Sequence, residues 1–158
     1  MELTSWFKRL CREGDLLVGE LELSFLGVDT TVEICFIQRG KAPSRIQIET
    51  INGYLQHLVE IHSAAANSIY AQYNASLADY RRAFTEWGSE PDEFAPFLSK
   101  AYELAPLLTY QSLFIQDAET TGEFGMGFWS KWEQEHGVGV KFVNWELQQV
   151  DENSIHYQ

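Results

Sequence analysis

The chain has 158 residues, 45% hydrophobic and 14% aromatic, with a formal charge of −12. That is enough for one domain with its own core and too short for two comfortable ones, and the composition is unlike that of disordered chains. Residues 1–85 hold 10 acids against 8 bases and residues 86–158 hold 13 against 3, a field that repels phosphates and anionic lipid and favours a basic partner.

Leu3, Trp6, Phe7, Leu10 and Cys11 fall at helical spacing and predict a short amphipathic helix over residues 3–11, stopped by Gly14. Lys8, Arg9 and Arg12 lie nearby, but no apolar run long enough for a signal peptide follows them. No segment reaches the ~20 apolar residues of a membrane span, so the expected location is the cytoplasm. Cys11 and Cys35, the two cysteines, suggest neither a disulfide framework nor a zinc spacing; both are expected to be buried free thiols.

From Leu16 to Gln38 the period changes to two. Leu17, Gly19, Leu21, Leu23 and Phe25 alternate with Glu20, Glu22 and Ser24, and after Gly27 the residues Val32, Ile34 and Phe36 share a face. A β-hairpin is predicted. Gly40 to Ser44 ends it, and a long helical stripe follows: Ile48, Ile51, Leu55, Leu58, His62, Ala65, Ile69, Tyr73, Leu77, Tyr80, Phe84, Trp87. One straight helix from Ser44 to Trp87 would be about 65 Å long, too long for this domain. The break is expected at Asn74-Ala75-Ser76, where Ser76 and Asp79 resemble a capping pair, with Gly53 a weaker place and Gly88 the end. His62 lies on the stripe with no titratable residue one turn away and reads as a hydrogen-bonded core imidazole.

Residues 89–106 carry three prolines and a cluster of acids and read as a connector, with a turn or two of helix around Leu98–Leu104. A strand is predicted over Leu107–Gln116, with Leu108, Tyr110, Ser112 and Phe114 on one face and Leu107, Gln111, Leu113 and Ile115 on the other. Asp117 to Glu123 is an acidic loop. Strand-like segments then run over Phe124–Trp132, Val138–Val143 and Trp145–Val150, and the tail 151–158 is polar and expected to fray.

The run from Trp132 to Val140 is the strongest motif. Glu133 to Gly137 would form a five-residue loop bringing Glu133, Glu135 and His136 together, with Gly137 and Gly139 permitting positive φ or a bulge. As a metal site it lacks the His-Glu-x-x-His spacing, and His57, His62 and His156 have no motif around them. Two acids of one loop rarely face each other across a hydrolytic cleft, and no signature pairs His136 with a thiol. A self-supporting turn is the better reading: imidazole to backbone carbonyl, carboxylate to backbone N–H. Trp129 or Trp132 would cover the flank of the long helix.

Phe128-x-x-x-Trp132-x-x-Glu135-His136-Gly137-x-Gly139-Val140 resembles a group of uncharacterised bacterial domains in which a strand ends in Trp-Asp-x-Glu-His-Gly-Leu-Gly. Trp132, Glu135, His136, Gly137 and Gly139 match; Glu133 replaces the usual Asp and Val138 the usual Leu. The order of hairpin, helix and strands is also similar. Some members of that group resemble proteins found beside bacterial toxins, so the resemblance implies an immunity role.

The expected fold is α+β in one domain over residues 1–158: an antiparallel sheet, from the N-terminal hairpin and C-terminal strands, against the long helix and shorter helices. Its other face would be wet, with Glu20, Glu22, Lys131 and Lys141. The expected function is a non-enzymatic protein-binding module, an immunity protein that binds and neutralises a cognate toxin, without a cofactor, metal or catalytic residue. Its candidate contacts are Glu90, Asp92, Glu93, Asp117, Glu119 and Glu123, and the partner would be a basic protein. The alternatives are a metal-binding or hydrolytic enzyme using Glu133, Glu135 and His136, and a structural or sensing module, dimeric through Trp145 and Tyr157.

Overall fold

The structure, a computed structural model, describes residues 3–151. Its core element is a seven-stranded sheet whose spatial order follows the chain: β1 (Cys11–Glu13), β2 (Leu16–Phe25), β3 (Val28–Ile37), β4 (Leu108–Ile115), β5 (Phe124–Ser130), β6 (Val138–Val143) and β7 (Glu146–Asp151). Neighbours are antiparallel except β3 and β4, which run parallel, with Ile34 opposite Leu113. A parallel pair needs a long crossover. Here it carries α2 (Arg45–Gln56), α3 (Leu58–Glu86), α4 (Pro91–Phe94) and a 3-10 helix (Ala101–Leu107). The fold is α+β, with a largely antiparallel sheet.

The period-two pattern of β2 and β3 sends Leu17, Leu21, Leu23, Phe25, Val32, Ile34 and Phe36 to the helix-covered face. They meet Ile51, Ala65 and Ile69 from α2 and α3 and Met126, Phe128, Val140 and Phe142 from β5 and β6. Val18, Cys35 and Phe114 form a smaller cluster separate from this core. The expected faces of β4 were half wrong. A bulge between Tyr110 and Ser112 inserts one residue, so Leu113 and Ile115 join Leu108 and Tyr110 in the core while Phe114 leaves it.

The N-terminal segment forms only the short helix α1 (Thr4–Phe7) before turning into edge strand β1, so Cys11 is exposed in a strand, and only Cys35 is buried. The long helical stripe does break, but at His57 rather than at Asn74-Ala75-Ser76. At that break His57 leaves helical geometry with φ −109° and ψ +27°. A straight helix would hold Tyr54 and His62 about 12 Å apart along its axis. The bend lets the Tyr54 hydroxyl and His62 Nε2 hydrogen-bond. Past it α3 is unbroken for 29 residues, so Ser76 lies within the helix instead of capping a second one. The helix ends at Trp87, where Gly88 donates to the Thr85 carbonyl at 3.1 Å and Ser89 to the Phe84 carbonyl at 2.8 Å.

Gln47 ties the crossover to the parallel pair. Its Oε1 accepts the Ser44 N–H at 3.0 Å and Ser44 Oγ accepts the Gln47 N–H at 3.2 Å, a reciprocal cap on α2. The same buried side chain donates from Nε2 to the carbonyls of Ile37 (2.9 Å) and Ile115 (3.1 Å), the last residues of β3 and β4. Two further expectations change. Lys141 is buried beside Glu123 (3.5 Å) rather than wet, and Lys131 lies beyond the end of β5. No helix among the described residues is long and apolar enough to cross a membrane.

Candidate functional site

Strand β5 stops at Ser130, so the turn before β6 has seven residues, Lys131 to Gly137, not the expected five. Local hydrogen bonds hold it. Ser130 Oγ donates to the Glu133 carbonyl at 3.1 Å and accepts the Glu133 N–H at 3.2 Å. Gly137 donates to the Glu133 carbonyl at 2.8 Å, with φ +68°. The Glu133 carboxylate accepts the His136 N–H (3.4 Å) and faces His136 Nδ1 (3.3 Å), while Glu135 Oε1 stands 4.0 Å from Nε2. The three polar side chains therefore do come together, with the imidazole resting on a carboxylate instead of a backbone carbonyl. The imidazole is 49% exposed and the Glu135 side chain 84%, so this is a wet surface triad in which ion pairing contributes little. Among the described residues no three His, Cys, Asp or Glu side chains are placed to hold a metal ion.

Trp132, the first motif residue, is buried and meets Tyr73 of α3 edge-on, with centroids 4.7 Å apart. Its Nε1–H has no hydrogen-bond partner among the described residues. Beside it is a cavity of about 190 Å³ lined by Gln72, Tyr80, Trp132, Glu133, Gly137, Val138 and Asp151. Burial pushes the Tyr80 phenol up. Ser76 pulls it down, Glu133 raises it, and Trp132, short of hydrogen-bond geometry, lowers it slightly. Tyr80 therefore stays protonated as a hydrogen-bonding group. Among the described residues that line it, none pairs a nucleophile with a base.

The six candidate contact residues separate into two groups. Asp117, Glu119 and Glu123 lie on the connection entering β5; Glu90, Asp92 and Glu93 lie beside the turn leaving it, as the Glu93–Lys131 ion pair at 3.7 Å marks. The seven residues of β5 separate them by about 20 Å. Several are already engaged. Asp92 pairs with Arg81 at 2.8 Å, Glu123 with Lys141, and Asp117 accepts from Gln38 at 3.3 Å.

The structure adds two residues beside the second group. Trp87 and Phe97 are 72% and 74% exposed. Trp87 closes the apolar stripe of α3 at the helix end, and Phe97 follows Pro96 in the connector; position at a helix terminus was the signal for the first, and no pattern marked the second. Trp145, expected as an exposed dimer contact, is instead half-buried, and its Nε1 donates to Thr121 at 3.2 Å. It crowds Gly53 so closely that a Cβ there would lie 2.5 Å from the indole. Tyr157 and His156 lie outside the described residues.

His62 forms a buried chain with two tyrosines. Its Nδ1 is 3.0 Å from the Ser24 carbonyl, which only accepts, so Nδ1 carries the proton. Nε2 then accepts from the Tyr54 hydroxyl, whose oxygen accepts from Tyr110 at 2.9 Å. Burial lowers the His62 pKa to about 4 against a partly offsetting bond to Ser24. Neutral His62 is thus a core residue.

Taken together, these features define an α+β protein with a helix-covered mixed sheet, a self-bonded Glu-His-Gly turn and an aromatic, acidic end to its long helix. The chain belongs to the DUF6985 family, a domain of unknown function whose profile matches residues 6–157. No curated protein and no solved structure matches it.

Proposed function

We propose that this chain is a non-enzymatic protein-binding module, an immunity protein of the bacterial cytoplasm that neutralises a cognate toxin by binding it. The observation that carries the reading is the contrast between the motif turn and the acidic loops. Glu133 and His136 pair with each other inside the turn, and Glu135 stands beside the same exposed imidazole. The acids Glu90, Asp92, Glu93 and Glu119, by contrast, are exposed on a chain of net charge −12. Such a surface steers a cationic partner and rejects acidic ones.

Coexpression with the product of the adjacent gene tests this. Growth arrest by that product alone, relieved by this protein in direct complex with it, supports the proposal. An adjacent product that is not toxic, or toxicity relieved without a complex, would sink it.

A second reading, a sensing module for a small polar molecule, rests on the cavity beside the Trp132 N–H, which has no partner among the described residues. The hydrolytic reading has less behind it, because Glu133, Glu135 and His136 share one loop and its bonds.

A further inference from the structure

The C-terminal end of α3 carries an apolar surface that the core does not use. Trp87 packs edge-on against Phe84 with centroids 5.6 Å apart, and Phe84 stacks on Phe94 at 5.0 Å. The Arg81 guanidinium lies 4.2 Å from the centre of the Phe97 ring and donates to the Ala95 carbonyl at 2.8 Å. Trp87 and Phe97 thus stand on a supported base while most of their own surface faces water. Exposed aromatics on a rigid base are the residues that anchor protein interfaces.

The segment under them is tied to the helix along its length. Tyr73 Oη donates to the Pro96 carbonyl at 2.6 Å and Tyr70 Oη to the Leu98 carbonyl at 3.2 Å. Arg81 also holds Asp92, and Glu90 caps α4 by accepting the Asp92 N–H at 3.2 Å. A partner would find this surface already ordered, which reduces the entropy lost on binding.

Its rim is acidic. Residues 83–99 contain Glu86, Glu90, Asp92 and Glu93 and no Lys or Arg, and they are bounded by Arg82, which pairs with Asp79, and Lys100, which lies over the Tyr102 ring. Arg81 and Lys131 reach in to Asp92 and Glu93, whereas Glu86 and Glu90 make no ion pair among the described residues. The opposite end of β5 has acids as well, but Val143 at 37% is the sole large exposed hydrophobic of the neighbouring strand, and Glu123 and Asp117 already have partners there.

We infer that the Trp87–Phe97 surface, rimmed by Glu86 and Glu90, is the docking site for a basic protein partner. The inference rests on the binding reading above and assigns it to one end of the molecule. A second copy of the chain fits poorly, because a symmetric contact would set this acidic rim against itself. Nucleic acid is repelled by the same charges.

In-cell photo-crosslinking tests it, with benzoylphenylalanine in place of Trp87, Phe97, Glu119 or Val28 in the full chain. The expected result is one discrete adduct from positions 87 and 97, with a protein of net positive charge, and none from 28 or 119. Adding Glu86→Lys and Glu90→Lys should lower its yield about tenfold or more. Adducts confined to 119 or 28 would overturn the surface assignment and leave the binding reading standing. An adduct with a second copy, or with an acidic protein, would overturn the assigned partner. No discrete adduct from any of the four positions would overturn both the assignment and the binding reading.

Discussion

Trp132 meets Tyr73 edge to face, with ring centroids 4.7 Å apart, so the motif begins with a core contact between the β5–β6 turn and α3. The aromatic end of the motif locks the turn to the helix, and its polar end closes the turn in water. That division yields different expectations for neighbouring residues.

Trp132→Ala should destabilise the protein by about 3–5 kcal/mol, the usual cost of emptying a buried aromatic site. Trp132→Phe should cost less than half of that, because the indole N–H it removes has no partner to lose among the described residues. Urea denaturation of the two variants measures both, and equal losses would show that the N–H is bonded after all.

Gly137→Ala should cost about 1 kcal/mol or more, since φ +68° disfavours any Cβ. His136→Ala should stay within about 1 kcal/mol, because its contacts to Glu133 and Glu135 are wet. Thermal denaturation separates the two; a larger loss for His136→Ala would make the imidazole structural.

Stability should fall on acidification through His62. Its pKa is about 6.5 unfolded and about 4 folded, so above pH 6.5 both states are neutral there and the group adds no pH dependence. Between 6.5 and 4 the unfolded chain binds the extra proton, and stability falls by about 3 kcal/mol across that window. Tyr54→Phe should cost about 1–3 kcal/mol at neutral pH by leaving His62 Nε2 and the Tyr110 hydroxyl without their bonds. Denaturation midpoints from pH 7 to 4 measure the first effect, and a flat profile in wild type would contradict the neutral core imidazole.

Gly53→Ala should push the Trp145 indole aside, because the new Cβ would sit 2.5 Å from it. The expected cost is about 1–3 kcal/mol with a shift in tryptophan emission. A variant with wild-type stability and emission would show that the indole moves freely.

Much of the fold was legible because its patterns are local. Leu17 to Phe36 alternate cleanly, and the stripe from Ile48 to Phe84 keeps steps of three and four. What was illegible depended on partners distant in sequence. The helix breaks at His57 because Tyr54 and His62 are drawn together under Tyr110, whereas Asn74-Ala75-Ser76 stays helical because Tyr73 and Leu77 are both buried across it. Gln111 carries no bulge signal of its own, yet as the extra residue of the bulge it exchanges Phe114 for Leu113 in the core. Trp145 looked exposed because nothing local announces Gly53 as its seat.

The candidate site was legible in part for the same reason. Glu133, Glu135 and His136 were expected together because a turn joins them. The acidic loops were grouped by charge, and only the path of β5 reveals that Asp117 and Asp92 belong to opposite ends. Trp87 rests on Phe84, which stacks on Phe94, and Phe97 lies over the Arg81 guanidinium, contacts that no spacing encodes.

The most direct measurement is cell growth during coexpression with the adjacent gene product, comparing wild type, His136→Ala and Glu86→Lys/Glu90→Lys. The account predicts full protection by wild type and His136→Ala and loss of protection by the charge-reversed variant. Protection that fails with His136→Ala and survives the charge reversal would contradict it, placing function back in the Glu-His-Gly turn.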